Sequence, residues 1–170
     1  MIRTILHFPD KRLRTKGARI TAVTPEIQAL VRDMAETMYA APGVGLAATQ
    51  IGEAYQLFVI DVATEDEPSD LRVFINPEIL ERHDVLEWNE GCLSFPGVSE
   101  QIERAARVKV RAQGEDGAWF ELEAEGLLAV AIQHEYDHLQ GVLMIDHLGP
   151  LKKRLVARKM QRRPAAESAP

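Results

Sequence analysis

The chain has 170 residues, 46% of them hydrophobic and 27% charged, which suits one domain able to bury roughly two thirds of its unfolded surface. A formal net charge of −6 argues against a whole-surface affinity for nucleic acid, and the apolar runs fall far short of the ~20 residues of a membrane-spanning helix. With Cys92 as its only cysteine the chain can form no internal disulfide, which excludes the framework of a small secreted domain.

The N-terminal "MIRTILHFPDKRLR" has no apolar stretch leading to a small-residue cleavage site, so no signal peptide is expected and a cytoplasmic location is favoured. "TPEIQALVRDMAETMYA" reads as a helix. Thr24 is placed to cap it, Pro25 suits its first position, and Ile27, Leu30, Val31, Met34 and Met38 share one face. "APGVGLAATQIG" reads as a small-residue loop, and "YQLFVIDV" as a buried strand. After the acidic loop "TEDEPSD", a second strand, "LRVFINP", is expected to halt at Asn76-Pro77. "EILERHDVLEW", "ARVKVRAQ" and "AWFELEAE" are further strand candidates, the last two joined by the turn "GEDG".

"GLLAVAIQHEYDHLQ" is the strongest helix, closed by Gly141 just past its end. A short strand, "VLMID", and a basic helix after Pro150 follow. A single domain is expected over 1–164, with a disordered tail over 165–170. Strands in series, flanked by helices, predict an α+β fold. Its mostly antiparallel sheets would surround the central helix, with a second helix at the C-terminus.

Chemistry concentrates in "QHEYDHLQG". In a helix, residues i and i+4 lie about 40° apart around the axis and ~6 Å apart along it, so His134 and His138 can bind one ion. Glu135 points about 100° away, where a carboxylate can take a proton from water held by that ion. The pattern also arises by chance on charged helices, and a histidine on an apolar face is more often a core residue than a ligand. Two of them one turn apart are harder to bury as neutral, hydrogen-bonded groups, and a metal resolves that difficulty. A catalytic site needs a third ligand. Position 144 is Met, not the His of a metzincin, and His147 is off that spacing. Cys92, in the glycine-flanked "NEGCLSFPG", is the best remaining candidate, with a small buried hydrophobe as its alternative reading.

Three segments in order, "GVGLAATQIG", "EGCLS" and "QHEYDH", resemble the signature motifs of the peptide deformylases. The similarity extends over most of residues 3–160, including "HFPDKRLR", "FINPEIL" and "LMIDHLGPLKKR", and the basic C-terminal helix resembles the bacterial type. The resemblance implies removal of the formyl group from the N-terminal formylmethionine of nascent peptides. It implies a divalent metal held by Cys92, His134 and His138, namely Fe²⁺ in the cell, with Ni²⁺, Co²⁺ or Zn²⁺ able to substitute. Glu135 would act as general base and acid, and Gln50 with the backbone N–H of Leu93 would hold the developing oxyanion.

Leu127, Val130 and Ala131, one or two turns before His134, would line a pocket beside the metal, and the resemblance places the methionine pocket there with Val44 opposite; plain core packing is the alternative for each. Gly45 and its neighbours would let backbone approach an extended peptide, or simply make a tight turn. Glu90, two residues before Cys92, and Arg104 are candidates for orienting the loop or a histidine, with surface charge as the competing reading. Some bacterial relatives carry an arginine where this chain has Ser99, which leaves its contacts to later substrate residues open. Residues 151–164 hold seven Lys or Arg and no acid. The resemblance implies docking on the ribosome, whereas composition alone suits equally a solvated helix whose charges complement its dipole. Two other functions share these features: a zincin-like endopeptidase with no need of Cys92, and a catalytically silent metal- or ribosome-binding module.

Overall fold

The first helix, α1 (Pro25–Ala40), begins where the Thr24 hydroxyl accepts the Ile27 N–H at 3.3 Å. Its five spaced apolar residues, Ile27 to Met38, are all buried, together with Leu46, Leu57 and Val59. The computed structural model describes residues 1–162, so the tail expected over 165–170 lies outside them. The strands are β1 (Gly45–Ala47), β2 (Leu57–Ile60), β3 (Arg72–His83), β4 (Leu86–Gly91), β5 (Ser99–Arg104), β6 (Arg107–Gln113) and β7 (Trp119–Glu125). Two further helices are α2 (Gly126–Leu139) and α3 (Pro150–Gln161). The fold is α+β with antiparallel sheets, as expected.

Five strands form one sheet in the order β1-β2-β3-β6-β7, and β4 and β5 pair separately as a two-stranded ribbon. The period-two alternation of β2 shows how the layers meet. Leu57 and Val59 join the cluster under α1, while Phe58 and Ile60 join the cluster that contains Ala129, Ile132 and Leu139 of α2. The two helices therefore cover opposite faces of the sheet, and β2 is apolar throughout because both its faces are buried. A third cluster joins Val156 and Met160 of α3 to Phe95, Val98 and Ile102 around the ribbon.

Several expectations need correction. The loop expected over "APGVGLAATQIG" contains β1 and a 3₁₀ turn, Ala48–Ile51. Asn76-Pro77 does not end a strand. Asn76 takes a left-handed φ of 51°, the β3–β6 register shifts between Ile75 and Glu78, and β3 continues to His83. The irregularity is tolerated because the Asn76 side chain hydrogen-bonds both the N–H and the C=O of Ile20, at 2.8 Å each. "EILERHDVLEW" is thus two strands, parted at Asp84 (φ 61°). "VLMID" is not a strand but leads into a 3₁₀ turn, Met144–His147, whose Asp146 carboxylate accepts the Leu143 N–H at 2.9 Å. β5 was not anticipated, because "SEQIER" offers only one large apolar residue, Ile102.

Candidate metal centre

Helix α2 packs against β1, β2 and β7, so most of its surface is buried, including every residue from Ala129 to Glu135. His134 and His138 project from it toward the loop that follows β4, where Cys92 stands. Ligand atoms of Cys92, His134 and His138 all lie within 4.8 Å of one another. The Cys92 Sγ is 3.4 Å from His138 Nε2, and the two imidazole centroids are 5.0 Å apart. A thiol and two imidazoles brought this close make a donor set suited to a soft or borderline divalent cation.

The surroundings bear on that fit. His134 Nδ1 lies 2.8 Å from Glu90 Oε1, so Nδ1–H donates to the carboxylate and Nε2 is left for an ion. Arg104 grips Glu90 with two bonds, Nε to Oε2 at 2.7 Å and Nη2 to Oε1 at 2.9 Å. Both residues are buried, so the surface-charge reading of them fails. Burial alone would raise the Glu90 carboxyl, but Arg104 and His134 outweigh it and hold it at about 2. Burial likewise opposes a charge on His134, yet the neighbouring Cys92 sulfur and Glu90 raise it well above the usual imidazole range. For His138, burial and the adjacent His134 act together and push it well below.

Glu135 is buried, and burial pushes its carboxyl up to about 7. Its Oε1 has no hydrogen-bond partner among the described residues. Gly45 lies against it so closely that a Cβ there would stand 2.6 Å from Glu135 Oε2. Gln50, also buried, is aimed by its own neighbours: Oε1 accepts the Ala47 N–H at 3.0 Å, and Nε2 donates to Ser94 Oγ at 3.0 Å. That same nitrogen is 3.7 Å from Cys92 Sγ. Ser94, within the "EGCLS" motif, has no role assigned from sequence, and its part in orienting Gln50 emerges only from this geometry.

Two hollows meet here. A cleft of about 660 Å³ is lined by Val44, Gly45, Gln50, Cys92, Leu93 and Glu135, among others. A smaller hollow of about 210 Å³ is lined by Val44, Trp88, Leu127, Val130, Ala131 and Glu135. All the pocket residues named from sequence thus line one or other hollow. Trp88 was missed, although its position two residues before Glu90 puts it on the same face of β4. Asp137 was missed as well; it accepts Arg104 Nη1 at 2.7 Å.

A family model described as polypeptide deformylase matches residues 2–154 of the chain. The chain belongs to the peptide deformylase family. It is 53% identical over 161 residues to the peptide deformylase of Chromohalobacter salexigens, covering 94% of each chain. Peptide deformylase 1 of Burkholderia multivorans is 51% identical over 159 residues, or 93% of this chain and 87% of the relative. The crystal structure of a peptide deformylase from Legionella pneumophila superposes with a TM-score of 0.89 at 43% identity, covering 96% of this chain and all of that one. That of the Ehrlichia chaffeensis peptide deformylase in complex with actinonin gives a TM-score of 0.90 at 34% identity, covering 96% and 99%. The protein is accordingly a hydrolase that removes the N-formyl group from nascent peptides. No helix among the described residues is long and apolar enough to cross a membrane.

Proposed function

We propose that Cys92, His134 and His138 hold one divalent metal ion, Fe²⁺ in the cell and replaceable by Ni²⁺, Co²⁺ or Zn²⁺. The convergence of one sulfur and two imidazoles within 4.8 Å carries this reading. An ion bound there supplies a Lewis acid and draws the pKa of water toward ~7. Glu135, whose Oε1 is unengaged and which borders both hollows, takes the proton of the attacking water and returns it to the departing amine nitrogen. Charge developing on the formyl oxygen is met by the Gln50 amide and the main-chain N–H of Leu93. Each such donor is typically worth about 3–4 kcal/mol. Glu90 and Arg104 fix the orientation of His134. Formate and a free N-terminal amine result.

The substrate methionine occupies the hollow of Leu127, Val130, Ala131, Trp88 and Val44, where burying its side chain contributes ~1.5–3 kcal/mol. β1 is an outer strand of the main sheet, with β2 as its partner, and Gly45 of β1 and Gly91 of β4 both border the cleft. An extended peptide laid between them can add main-chain hydrogen bonds to either side. We further propose that residues 1–164 act as one cytoplasmic catalytic domain whose basic helix docks on the ribosome. The exposed Lys152, Lys153, Arg154, Arg158 and Lys159 support this last point. Val156 and Met160 are buried, so the docking test should neutralise Lys152, Arg154 and Arg158 rather than delete the helix. Unchanged co-sedimentation with ribosomes at low salt would end that part of the proposal.

Anaerobically purified protein, assayed on a formylmethionyl tripeptide, tests the centre itself. Cys92→Ala should lose the metal and all turnover; retention of both would show that Cys92 is not a ligand. Glu135→Ala should keep the metal while kcat falls at least 10²-fold, the lower end of what a positioned acid–base group contributes (~10²–10⁴).

A further inference from the structure

His147 belongs to none of the three signature motifs and stands outside both hollows, yet it is tied to the metal centre by an unbroken run of hydrogen bonds. Its Nε2 is 2.8 Å from Asp137 Oδ2. An ionised carboxylate can only accept, so Nε2 carries the hydrogen. The same Oδ2 accepts Arg104 Nη1 at 2.7 Å. The 3.4 Å separation of Arg104 Nη1 from His147 Nε2 is therefore between two donors that share one oxygen. Arg104 gives its remaining donors, Nε and Nη2, to Glu90, and Glu90 Oε1 receives His134 Nδ1–H at 2.8 Å.

We propose that His147 is a positioning residue for the metal centre, acting on His134 through Asp137, Arg104 and Glu90. This rests on the reading of His134 as a ligand. The buried Arg104 is shared between two carboxylates, Glu90 and Asp137, which draw on it from opposite ends of its fork. Asp137 is anchored by His147 in the pose in which it takes Nη1 alone. Without that anchor its carboxylate turns about its last torsion and competes for the donors that Glu90 holds. Glu90 then loses the bidentate grip that fixes His134 Nδ1, and the ring that should face the ion is free to tilt. Loss of a group that orients a ligand typically costs 10–100-fold in metal affinity or activity, and a group one link further out should act at the lower end of that range.

His147 is about one third exposed, so its replacement leaves no large cavity and the fold should survive. The test follows transfer of Ni²⁺ from the loaded enzyme to a chromophoric chelator, with melting temperatures measured in parallel. His147→Ala should release the metal about tenfold faster at nearly unchanged melting temperature. His147→Gln, whose side-chain N–H can reach the same carboxylate, should restore a release rate close to wild type. Release from His147→Ala at the wild-type rate, while Cys92→Ser still loses its metal, overturns the inference and leaves the centre intact. Equal acceleration in the Ala and Gln variants with a matching fall in melting temperature also overturns it, since that is a merely structural effect. If wild type and Cys92→Ser release Ni²⁺ alike, the ligand set itself is wrong and the inference falls with it.

Discussion

At the scale of single residues, the tightest constraint lies between Gly45 and Glu135. A methyl group on Gly45 would meet Glu135 Oε2 at 2.6 Å, so Gly45→Ala must displace the carboxylate. Misplacing a reacting group by about 1 Å can cost 10²-fold. Gly45→Ala should therefore lower kcat by about that factor with metal content unchanged; equal kcat in the two proteins would show that Glu135 tolerates the shift. The positions of His134, Glu135 and His138 were legible in the sequence because helical geometry links residues four apart without help from the rest of the fold. The pair Glu90–Arg104 was legible only as a suspicion. They sit on the two strands of the ribbon, where Arg104 lies directly opposite Leu86, and the guanidinium must reach along the strand to find its partner. No local spacing reports such a contact.

At the scale of elements, the periodic segments and the apolar run of β2 were read correctly, and the apolar run "VLMID" was not. α1 and α2 repeat their apolar residues over several turns, a signal long enough to outvote single exceptions. "VLMID" holds four apolar residues in succession, which strand, helix and 3₁₀ turn can all bury. The deciding feature is Asp146, which closes the turn on itself and is gripped by Arg14 and Lys153. Burial would raise this carboxyl, but its partners hold it at about 2 against an ordinary 3.8. With a depressed pKa the sign is fixed: the stabilisation is fully present above the unfolded value and is lost as the pH falls through the folded one. Asp146→Asn should therefore destabilise the protein at neutral pH, by an amount that shrinks between about pH 4 and pH 2. Urea denaturation across that range measures it. A constant difference would mean that the carboxylate charge contributes nothing.

At the scale of the whole molecule, the layers were foreseeable and the separate ribbon was not. Series of strands between amphipathic helices imply a sheet covered on its faces. Nothing in "EWNEGCLSFPGVSEQIER" shows that β4 and β5 pair only with each other. That independence matters, because the proposed ligands come from two bodies: Cys92 beside the ribbon, His134 and His138 from α2. A ligand present at 100 times its Kd adds about 2.7 kcal/mol to stability. In a domain of this size that is worth about 5–10 °C in Tm. Removing the metal with a chelator should lower Tm by this amount in wild type and leave Cys92→Ala unmoved.

The ribbon shares no ladder hydrogen bonds with the five-stranded sheet, and the contacts that hold it to the body include the apolar cluster around Ile102, the Arg104 clasp and, when loaded, the ion. Stripping the ion removes one of these fastenings. Amide hydrogens across Leu86–Arg104 should then exchange faster than those of the main sheet, and a protease should nick this segment in stripped enzyme sooner than in loaded enzyme.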